Sequence, residues 1–594
     1  MWACAAIVAC RENSADRSAS STRISSAPIV DGDWFTDVAQ KAGLDFTHVN
    51  GMSGKFDYAE IIGSGAAMFD YDNDGDLDIY FAQGQLLRNA AGASTPQTGG
   101  GRLFRNDLVI NADGSRTLKF TDVTERSGIV SRGYGMGVAT GDFNNDGCVD
   151  LYLTNLGANQ LFRNNCDGTF TDVSRQSHTD DPSWSVSAAF VDYDRDGWLD
   201  LFVGNYLSWR VEASMPCFSP SGRPDYCSPN VFQPQPSRLY HNNHDGTFTD
   251  VTAAAGLARE FGPALGVSTA DFNGDGWPDI YVANDGQPNQ LWINQHDGTF
   301  KNMGLLSGTA LSAHGKAKAG MGVDAGDFDN DGDEDLFVTN LTGEGNDLYV
   351  NDGSGLFEEQ SARSGLGPAS RAYTGFGTAW FDVDNDGWLD TLIVNGAVQT
   401  IEALRRANDP FPLHQRKLLF RNLHDGRFED VTVRAGPAFQ LSEVGRGAAF
   451  GDVDNDGDID VVVNNNNGKA RLLINNVGSR NHWIGLRLVG GPERPALREV
   501  ATAAQPAAPK PRRGEGRDML GARVQITLDD GRTLWRRARS DGSYASANDP
   551  RVLVGLGQST HVALVRVVWP GGAAEEWKNV AVGRYTTLKE GSSK

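Results

Sequence analysis

Carboxylates recur along this chain at a spacing that suits a hard divalent cation. One nine-residue phrase, Asp-x-Asp/Asn-x-Asp-Gly-x-x-Asp, is present seven times, starting at Asp70, Asp142, Asp192, Asp271, Asp327, Asp382 and Asp452. These are loops 1–7. Oxygen ligands at positions 1, 3, 5 and 9, with a glycine at 6 for the sharp turn, suit Ca²⁺. Position 3 is Asp72, Asn144, Asp194, Asn273, Asp329, Asp384 and Asp454. Position 5 is Asp74, Asp146, Asp196, Asp275, Asp331, Asp386 and Asp456, and position 9 is Asp78, Asp150, Asp200, Asp279, Asp335, Asp390 and Asp460. Position 7 varies freely (Asp76, Cys148, Trp198, Trp277, Asp333, Trp388, Asp458), as a ligand offered through its backbone carbonyl allows. Up to seven Ca²⁺, one per copy, are expected. Acidic residues and glycine also favour plain turns, but so many carboxylates packed into one turn repel one another strongly without a cation. Loops 2 and 4 carry Asn144 and Asn273, hence one carboxylate fewer, and are expected to bind more weakly.

An EF-hand needs a bidentate Glu at position 12 and flanking helices. Here position 12 is Phe81, Leu153, Val203, Val282, Val338, Ile393 and Val463, all apolar. They lie in runs such as LDIYFAQG (77–84) and IDVVVNN (459–465), which read as buried strands. Each loop therefore caps a strand.

A second phrase interleaves with the first: a strand ending in Asn, an Asp-Gly turn, then an F-x-D-V strand, as in LFRNNCDGTFTDVS (161–174) and LFRNLHDGRFEDVT (419–432). Asp-Gly between strands is a hairpin signal. Each unit thus supplies about four strands, and such units repeated around an axis make a β-propeller. Loop starts are 72, 50, 79, 56, 55 and 70 residues apart, the excess being insertion. F-x-D-V strands follow loops 1–6 but not loop 7, whereas an orphan copy, WFTDVAQKAGL (34–44), precedes loop 1. The N-terminal strand is therefore expected to complete the seventh blade and remove its open edge.

The 594 residues exceed one ordinary core. A ring over 33–478 and a second all-β domain over 479–594 account for the length. Net charge is −23, but residues 481–594 carry 18 Lys+Arg against 11 Asp+Glu, so the acidity sits in the ring. That charge reads as metal loading and argues against nucleic-acid binding. Six cysteines are present. Ile-Val-Ala-Cys (7–10), after a short apolar run, has the form of a lipobox with Cys10 as the lipidated residue, although no basic residue precedes it. Residues 1–10 read as a signal segment and 11–32 as a flexible polar tether. Any membrane association is expected only through that anchor, since no stretch of about 20 apolar residues follows. Cys217 with Cys227, and Cys148 with Cys166, are placed to pair, which would imply an oxidising, extracytoplasmic compartment; the alternative is buried thiols.

From residue 479, alternating patterns around NHWIGLRLVG (481–490), GARVQITLDDG (521–531) and HVALVRVVWPGG (561–572) predict a small β-sandwich, with 491–516 as a disordered insertion. The acidic repeats resemble FG-GAP/VCBS repeats, which form seven-bladed propellers similar to those of integrin α chains. The tail resembles an ASPIC/UnbV domain through W-I-G-L-R-L, G-A-R-V, V-G-L-G and V-V-W-P-G-G. Together, over about residues 33–590, they resemble the cartilage acidic protein family, including its bacterial members. YCSPNVF (226–232) also looks like that family's blade-three insertion, whereas the roughly twenty residues inserted before GRDMLGARV depart from its pattern. The resemblance implies a secreted or surface-bound, calcium-binding, non-catalytic protein.

There is no Walker phosphate loop, H-E-x-x-H, G-x-S-x-G or RGD in the chain. His241, His244, His296 and His424 read as solvent-facing hairpin-turn residues. Trp198, Trp277 and Trp388 read as packing between blades, with sugar stacking the alternative. Tyr206, Trp209, Tyr226 and Phe232, in the Cys-bearing insertion of blade 3, are the candidate binding surface. The leading expectation is a non-catalytic adhesion or interaction module for a protein or glycan partner. The alternatives are a polysaccharide lyase, which would need a charged cluster near the central channel, and a structural subunit of an envelope complex.

Overall fold

The computed structural model describes residues 32–87, 100–490 and 516–593. Cys4, Cys10, the signal-like segment, tether residues 11–31 and insertion residues 491–515 lie outside the described residues. The described residues from Asp33 onward form one compact unit, all-β apart from short helices.

Seven four-stranded antiparallel sheets make up the body. Their first strands are Ala66–Phe69, Tyr134–Gly141, Ser185–Val191, Ala264–Ala270, Val323–Gly326, Gly375–Phe381 and Gly445–Gly451, and these number blades 1–7. Each first strand packs against that of the next blade, and Gly445–Gly451 packs against Ala66–Phe69. Every first strand runs into its acidic loop, and position 9 opens the second strand, as in Asp78–Phe81 and Asp460–Asn465. The fourth strand of blade 7 comes from the N-terminus: Phe35–Asp37 pairs with Arg471–Asn475, Phe35 opposite Asn475. Trp34 and Phe35 are buried there. Deleting residues 30–45 is expected to cost more than the roughly 3–5 kcal/mol of a buried Phe→Ala change. Thermal melting checks this, and a truncated chain that melts with its parent would contradict it.

The tail is a two-sheet sandwich. Val552–Gly557, His482–Val489 and Tyr585–Lys589 form one sheet, and Thr533–Arg537, Arg523–Leu528, Val562–Val568 and Ala574–Trp577 the other. Ile484, Leu486, Val524, Ile526, Val565 and Trp569 fill the space between them. Between Arg537 and Val552 the chain leaves the sandwich and enters the axis of the ring. The Val138 and Met68 amides donate to the Ala545 and Ala547 carbonyls, and Val323 donates to Ser543. The Tyr544 hydroxyl donates to the Ile62 carbonyl at 2.9 Å, and its ring meets Phe376 edge-on at 4.8 Å. Around it Ile62, Tyr134, Trp184, Leu265, Met321, Phe376 and Val444, one or more from every blade, fill the axis. A β-carbon on Gly65 would lie 1.8 Å from the Ala545 oxygen, so only glycine admits the plug there.

Three connections build the end of the ring away from the acidic loops. They are the segment before blade 1, the disulfide-bearing insertion of blade 3 and residues 396–417 of blade 6. The last two are joined by Thr400, which donates to Asp225. Cys217–Cys227 and Cys148–Cys166 are both disulfides. Tyr206, Trp209 and Tyr226 do not form a surface: they are buried, and Phe232 is half-buried against them. The Tyr206 hydroxyl donates to Asp285, the Tyr58 and Tyr206 hydroxyls share a hydrogen bond, and the Tyr226 hydroxyl donates to Glu60. The insertion folds inward over the axis, where large rings have apolar area to cover, and so takes these aromatics off the surface that the sequence predicts.

Candidate metal-binding loops

Six of the seven acidic loops share one hydrogen-bond scheme, set by backbone amides of the turn; in loop 3 the Asp196 amide donates to Asp194 instead of Asp192. In loop 7 the Asp456 amide donates to Asp452 Oδ1 at 3.0 Å, and the Gly457 amide donates to Asp452 Oδ2 at 2.9 Å. Asp456 Oδ1 in turn accepts from the amide at position 7. The glycine at position 6 has positive φ in every copy, from 86° at Gly147 and Gly276 to 102° at Gly332, the region only glycine enters at little cost. The position-1 carboxylates converge with their neighbours: ligand oxygens of Asp70, Asp72 and Asp78, of Asp192, Asp194 and Asp196, and of Asp327, Asp329 and Asp335 each lie within 4.8 Å of one another.

Position 9 does more than close a shell. Asp78, Asp150, Asp200, Asp279, Asp335, Asp390 and Asp460 are 0–1 % exposed. One oxygen of each accepts from the amide of residue 2 of its own loop, as at Tyr71 and Val453. The other accepts from the amide of the Asn that ends the third strand, as at Asn106 and Asn475. That Asn then donates its side-chain amide to the position-2 carbonyl of the preceding blade: Asn164 to Tyr71, Asn242 to Phe143, Asn294 to Tyr193, Asn351 to Phe272, Asn422 to Phe328 and Asn475 to Val383. Asn106 donates to Val453 at 2.8 Å, linking blade 1 to blade 7. Sequence reasoning used these asparagines only as strand markers; their invariance in the L-x-x-N phrase was the signal for a blade-to-blade strut. A second relay runs through position 4. Asn73, Asn145, Asn330 and Asn385 donate to the position-6 carbonyl of the next loop. It breaks at Arg195, whose guanidinium bonds Pro570 and lies over the Trp277 ring, and at Gly274, which has no side chain.

Burial disfavours the ionised form of most of these carboxylates. Burial pushes Asp70, Asp142, Asp327 and Asp452 up to about 7, and Asp279 up to about 8. Burial, with the position-3 carboxylate beside it, carries Asp78, Asp335, Asp390 and Asp460 well above the carboxylate range. Oδ1 of Asp329, Asp384 and Asp454 at position 3 is buried without a hydrogen-bond partner. A buried acceptor in that state is costly, and a hard cation with oxygen ligands is what these groups fit. In loops 2 and 4 the position-3 amide instead donates to the position-5 carboxylate, Asn144 to Asp146 and Asn273 to Asp275, both at 2.8 Å. That self-satisfied pair is a reason for weaker binding. Under limiting Ca²⁺ these two loops should fill last, and Asn144→Asp with Asn273→Asp should tighten them; equal filling of all seven, read by titration calorimetry, would contradict this.

The histidines depart from expectation. His241 lies on the strand Arg238–Asn242, not in a turn. His244, His296 and His424 do sit in turns, but each ring stacks on the position-7 tryptophan, Trp198, Trp277 or Trp388, at 4.7–4.9 Å. Each Nε2 meets the position-5 carboxylate, Asp196, Asp275 or Asp386, at 2.5, 2.9 and 3.0 Å. The pairing of a Trp at loop position 7 with a His after the third strand carried this signal. In loop 6 Arg421 adds bonds to Asp384 and Asp386. Burial opposes ionisation of Asp386, but His424 and Arg421 hold it below its ordinary value.

The basic tail lies over this same face. Arg517 donates to the Gly197 carbonyl at 2.7 Å and Arg536 to Gly387 at 3.0 Å. Arg523 donates to Gly332, and Arg551 bonds Asn455 and the Asp452 carbonyl. Four of the tail's arginines thus face the chain's own acidic loops.

Comparison with known proteins agrees with this construction. A family model described as FG-GAP-like repeat matches residues 142–203, 221–282, 271–338, 327–393 and 414–463. A second, ASPIC and UnbV, matches residues 512–594. Cartilage acidic protein 1 of Homo sapiens is 29% identical over 201 residues, 33% of this chain and 29% of that protein. The Xenopus tropicalis protein of the same name is 29% identical over 168 residues, 27% of this chain and 25% of that protein. The chain therefore spans less than a third of the length of these relatives. Among solved structures, an Agrocybe aegerita lectin recognising non-reducing terminal N-acetylglucosamine is 16% identical (TM-score 0.34, 62% of this chain and 79% of that one). A rhamnogalacturonan lyase is 11% identical (TM-score 0.28, 70% of this chain and 89% of that one). Likenesses this low carry no functional argument. The chain thus joins FG-GAP-like repeats to an ASPIC and UnbV domain and is a distant homologue of cartilage acidic protein 1.

Proposed function

We propose that this protein is a calcium-binding, extracytoplasmic interaction module without catalytic activity, which offers a rigid propeller surface to a protein or glycan partner. The observation that carries this reading is the sevenfold acidic loop, whose elevated carboxylate pKa values, with the buried, partnerless oxygens of Asp329, Asp384 and Asp454 in loops 5–7, suit Ca²⁺. Residues 70–78, 142–150, 192–200, 271–279, 327–335, 382–390 and 452–460 would hold the ions. When bound, Ca²⁺ supplies the positive charge that lets these carboxylates stay ionised inside the ring. The chain's own residues do the rest: position 9 and the third-strand Asn fix each loop to two blades. Two disulfides support an oxidising location, and among the described residues no helix is long and apolar enough to cross a membrane.

The axis speaks against a lyase reading. A propeller enzyme would need an open channel, and here Tyr544, Phe376, Trp184 and Leu265 fill the axis, with Arg446 buried over the Phe376 ring and Asp285 held by Tyr206. Because the tail covers the acidic-loop face, the partner surface falls at the opposite end, among the joined insertions of blades 3 and 6. The test is incubation with a panel of polysaccharides, with and without chelator, assaying retention and released product together. Calcium-dependent retention without product supports the reading for a glycan. Product release would overturn the non-catalytic assignment, and no retention on any glycan directs the search to a protein partner.

A further inference from the structure

Loop 3 differs from the other six in what faces it. The residue before the anchoring Asn of the third strand is Arg105, Arg163, His241, Ile293, Val350, Arg421 and Ile474 in blades 1–7. Blade 3 alone places an imidazole there. Arg105 turns to Asp107, and Arg421 supplies a fixed cation to loop 6. We propose that loop 3 is a site for a borderline d-block dication of the Zn²⁺ or Co²⁺ class, held by His241 together with Asp192, Asp194 and Asp200. The inference rests on the reading of the acidic loops as cation sites and names a different ion for one of them.

The geometry carries it. His241 Nδ1 lies 3.3 Å from Asp194 Oδ2 and 3.3 Å from Asp200 Oδ1, an imidazole nitrogen set between two carboxylates of the loop. Four ligands at about 2.0–2.1 Å from a tetrahedral Zn²⁺ stand about 3.3–3.4 Å apart, the separation that His241 Nδ1 keeps from Asp194 and from Asp200. Asp192 is 5 % exposed, and its Oδ1 is buried without a partner, while its Oδ2 accepts from the Gly197 amide. Ligand atoms of Asp194, Asp200 and His241 lie within 4.8 Å of one another, as do those of Asp192, Asp194 and Asp196. Asp196 is engaged elsewhere, by His244 stacked on Trp198. That leaves one nitrogen and three carboxylates, a set that suits Zn²⁺ or Co²⁺, whereas Ca²⁺ takes oxygen ligands.

The experiment uses the full chain, stripped by chelation, returned to excess Ca²⁺ and given Co²⁺ as the visible probe. The expected result is one Co²⁺ per chain retained through gel filtration in Ca²⁺, with the absorption of a four-coordinate nitrogen–oxygen site. His241→Ile introduces the residue that blades 4 and 7 already carry. It should weaken Co²⁺ binding by more than the roughly 10–100-fold that loss of an outer-shell partner costs, and abolish the band. The variant should keep the Ca²⁺-dependent melting shift of its parent, which shows it folded. No retained Co²⁺ in the parent, or equal retention in His241→Ile, overturns the assignment while leaving the calcium reading intact. Melting that neither ion alters overturns both.

Discussion

Stripping calcium from this chain at pH 7.5 should lower its melting temperature by on the order of 15 °C. A site filled at a hundredfold excess over its Kd contributes about 2.7 kcal/mol, and six such sites, loop 3 set aside for the other ion, act on an unfolding entropy of about 2.1 cal/mol/K per residue. The effect should shrink on acidification, and the sign follows from the carboxylates. Asp70, Asp142, Asp327 and Asp452 are raised to about 7, and Asp192 and Asp329 to about 6. A group raised in the folded state contributes stability that is fully present below its unfolded value of 3.8 and lost as pH climbs through the folded value. The metal-free protein should therefore melt progressively lower between pH 5 and pH 8. Calcium, which replaces those protons, should flatten the curve. Differential scanning calorimetry with and without chelator at several pH values checks both slopes, and a chelator-independent melting temperature at pH 7.5 would remove calcium from the fold. One position-1 substitution, Asp327→Ala, should forfeit roughly one site's share, about 2.7 kcal/mol.

Much of this fold was legible because its determinants are local and repeated. Asp70–Asp78 and its six counterparts fix a turn by their own amides, so the chemistry of nine consecutive residues suffices to read it. The N-terminal strand was legible for a different reason: a missing F-x-D-V copy after loop 7 and an orphan copy at residues 34–44 leave one place for it, and Phe35 pairs there with Asn475. The disulfides were legible from the hairpin that brings Cys148 to Cys166. What stayed hidden depends on contacts between remote segments. Tyr206 and Tyr226 lie in an insertion whose inward fold is decided by Tyr58, Glu60 and Asp285 elsewhere in the ring. His424 looks like a turn residue until Trp388 and Asp386 are seen against it. The axial plug is the extreme case: RSDGSYASANDPR (539–551) has the composition of an ordinary polar connection, and its partners Gly65 and Met68 are more than 470 residues away in the sequence.

That plug yields the second large effect, because it ties the two halves of the chain together at their most buried point. Tyr544→Ala should cost about 3–5 kcal/mol for the lost ring and about 1 kcal/mol more for the hydrogen bond to Ile62. Simple loss of core would stop there. If residues 539–549 hold the tail on the acidic face, the variant should also loosen contacts far from Tyr544. Ser540 donates to the Thr140 carbonyl, Asp541 accepts from the Thr269 amide and hydroxyl, and Asn548 accepts from the Phe450 amide; these three reach blades 2, 4 and 7. Limited proteolysis should then cut within 537–551 well below the melting temperature, where the parent resists. Gly65→Ala separates the two causes, since it leaves Tyr544 intact and drives a methyl group into the Ala545 carbonyl. The same early cleavage in Gly65→Ala would show that the axial seat, not the tyrosine ring alone, secures the tail. Calcium should slow the cut in both variants, because metal-ordered loops present the Gly197, Gly332 and Gly387 carbonyls to Arg517, Arg523 and Arg536. A Gly65→Ala chain as resistant as its parent would show that the plug is a passive filler of the ring.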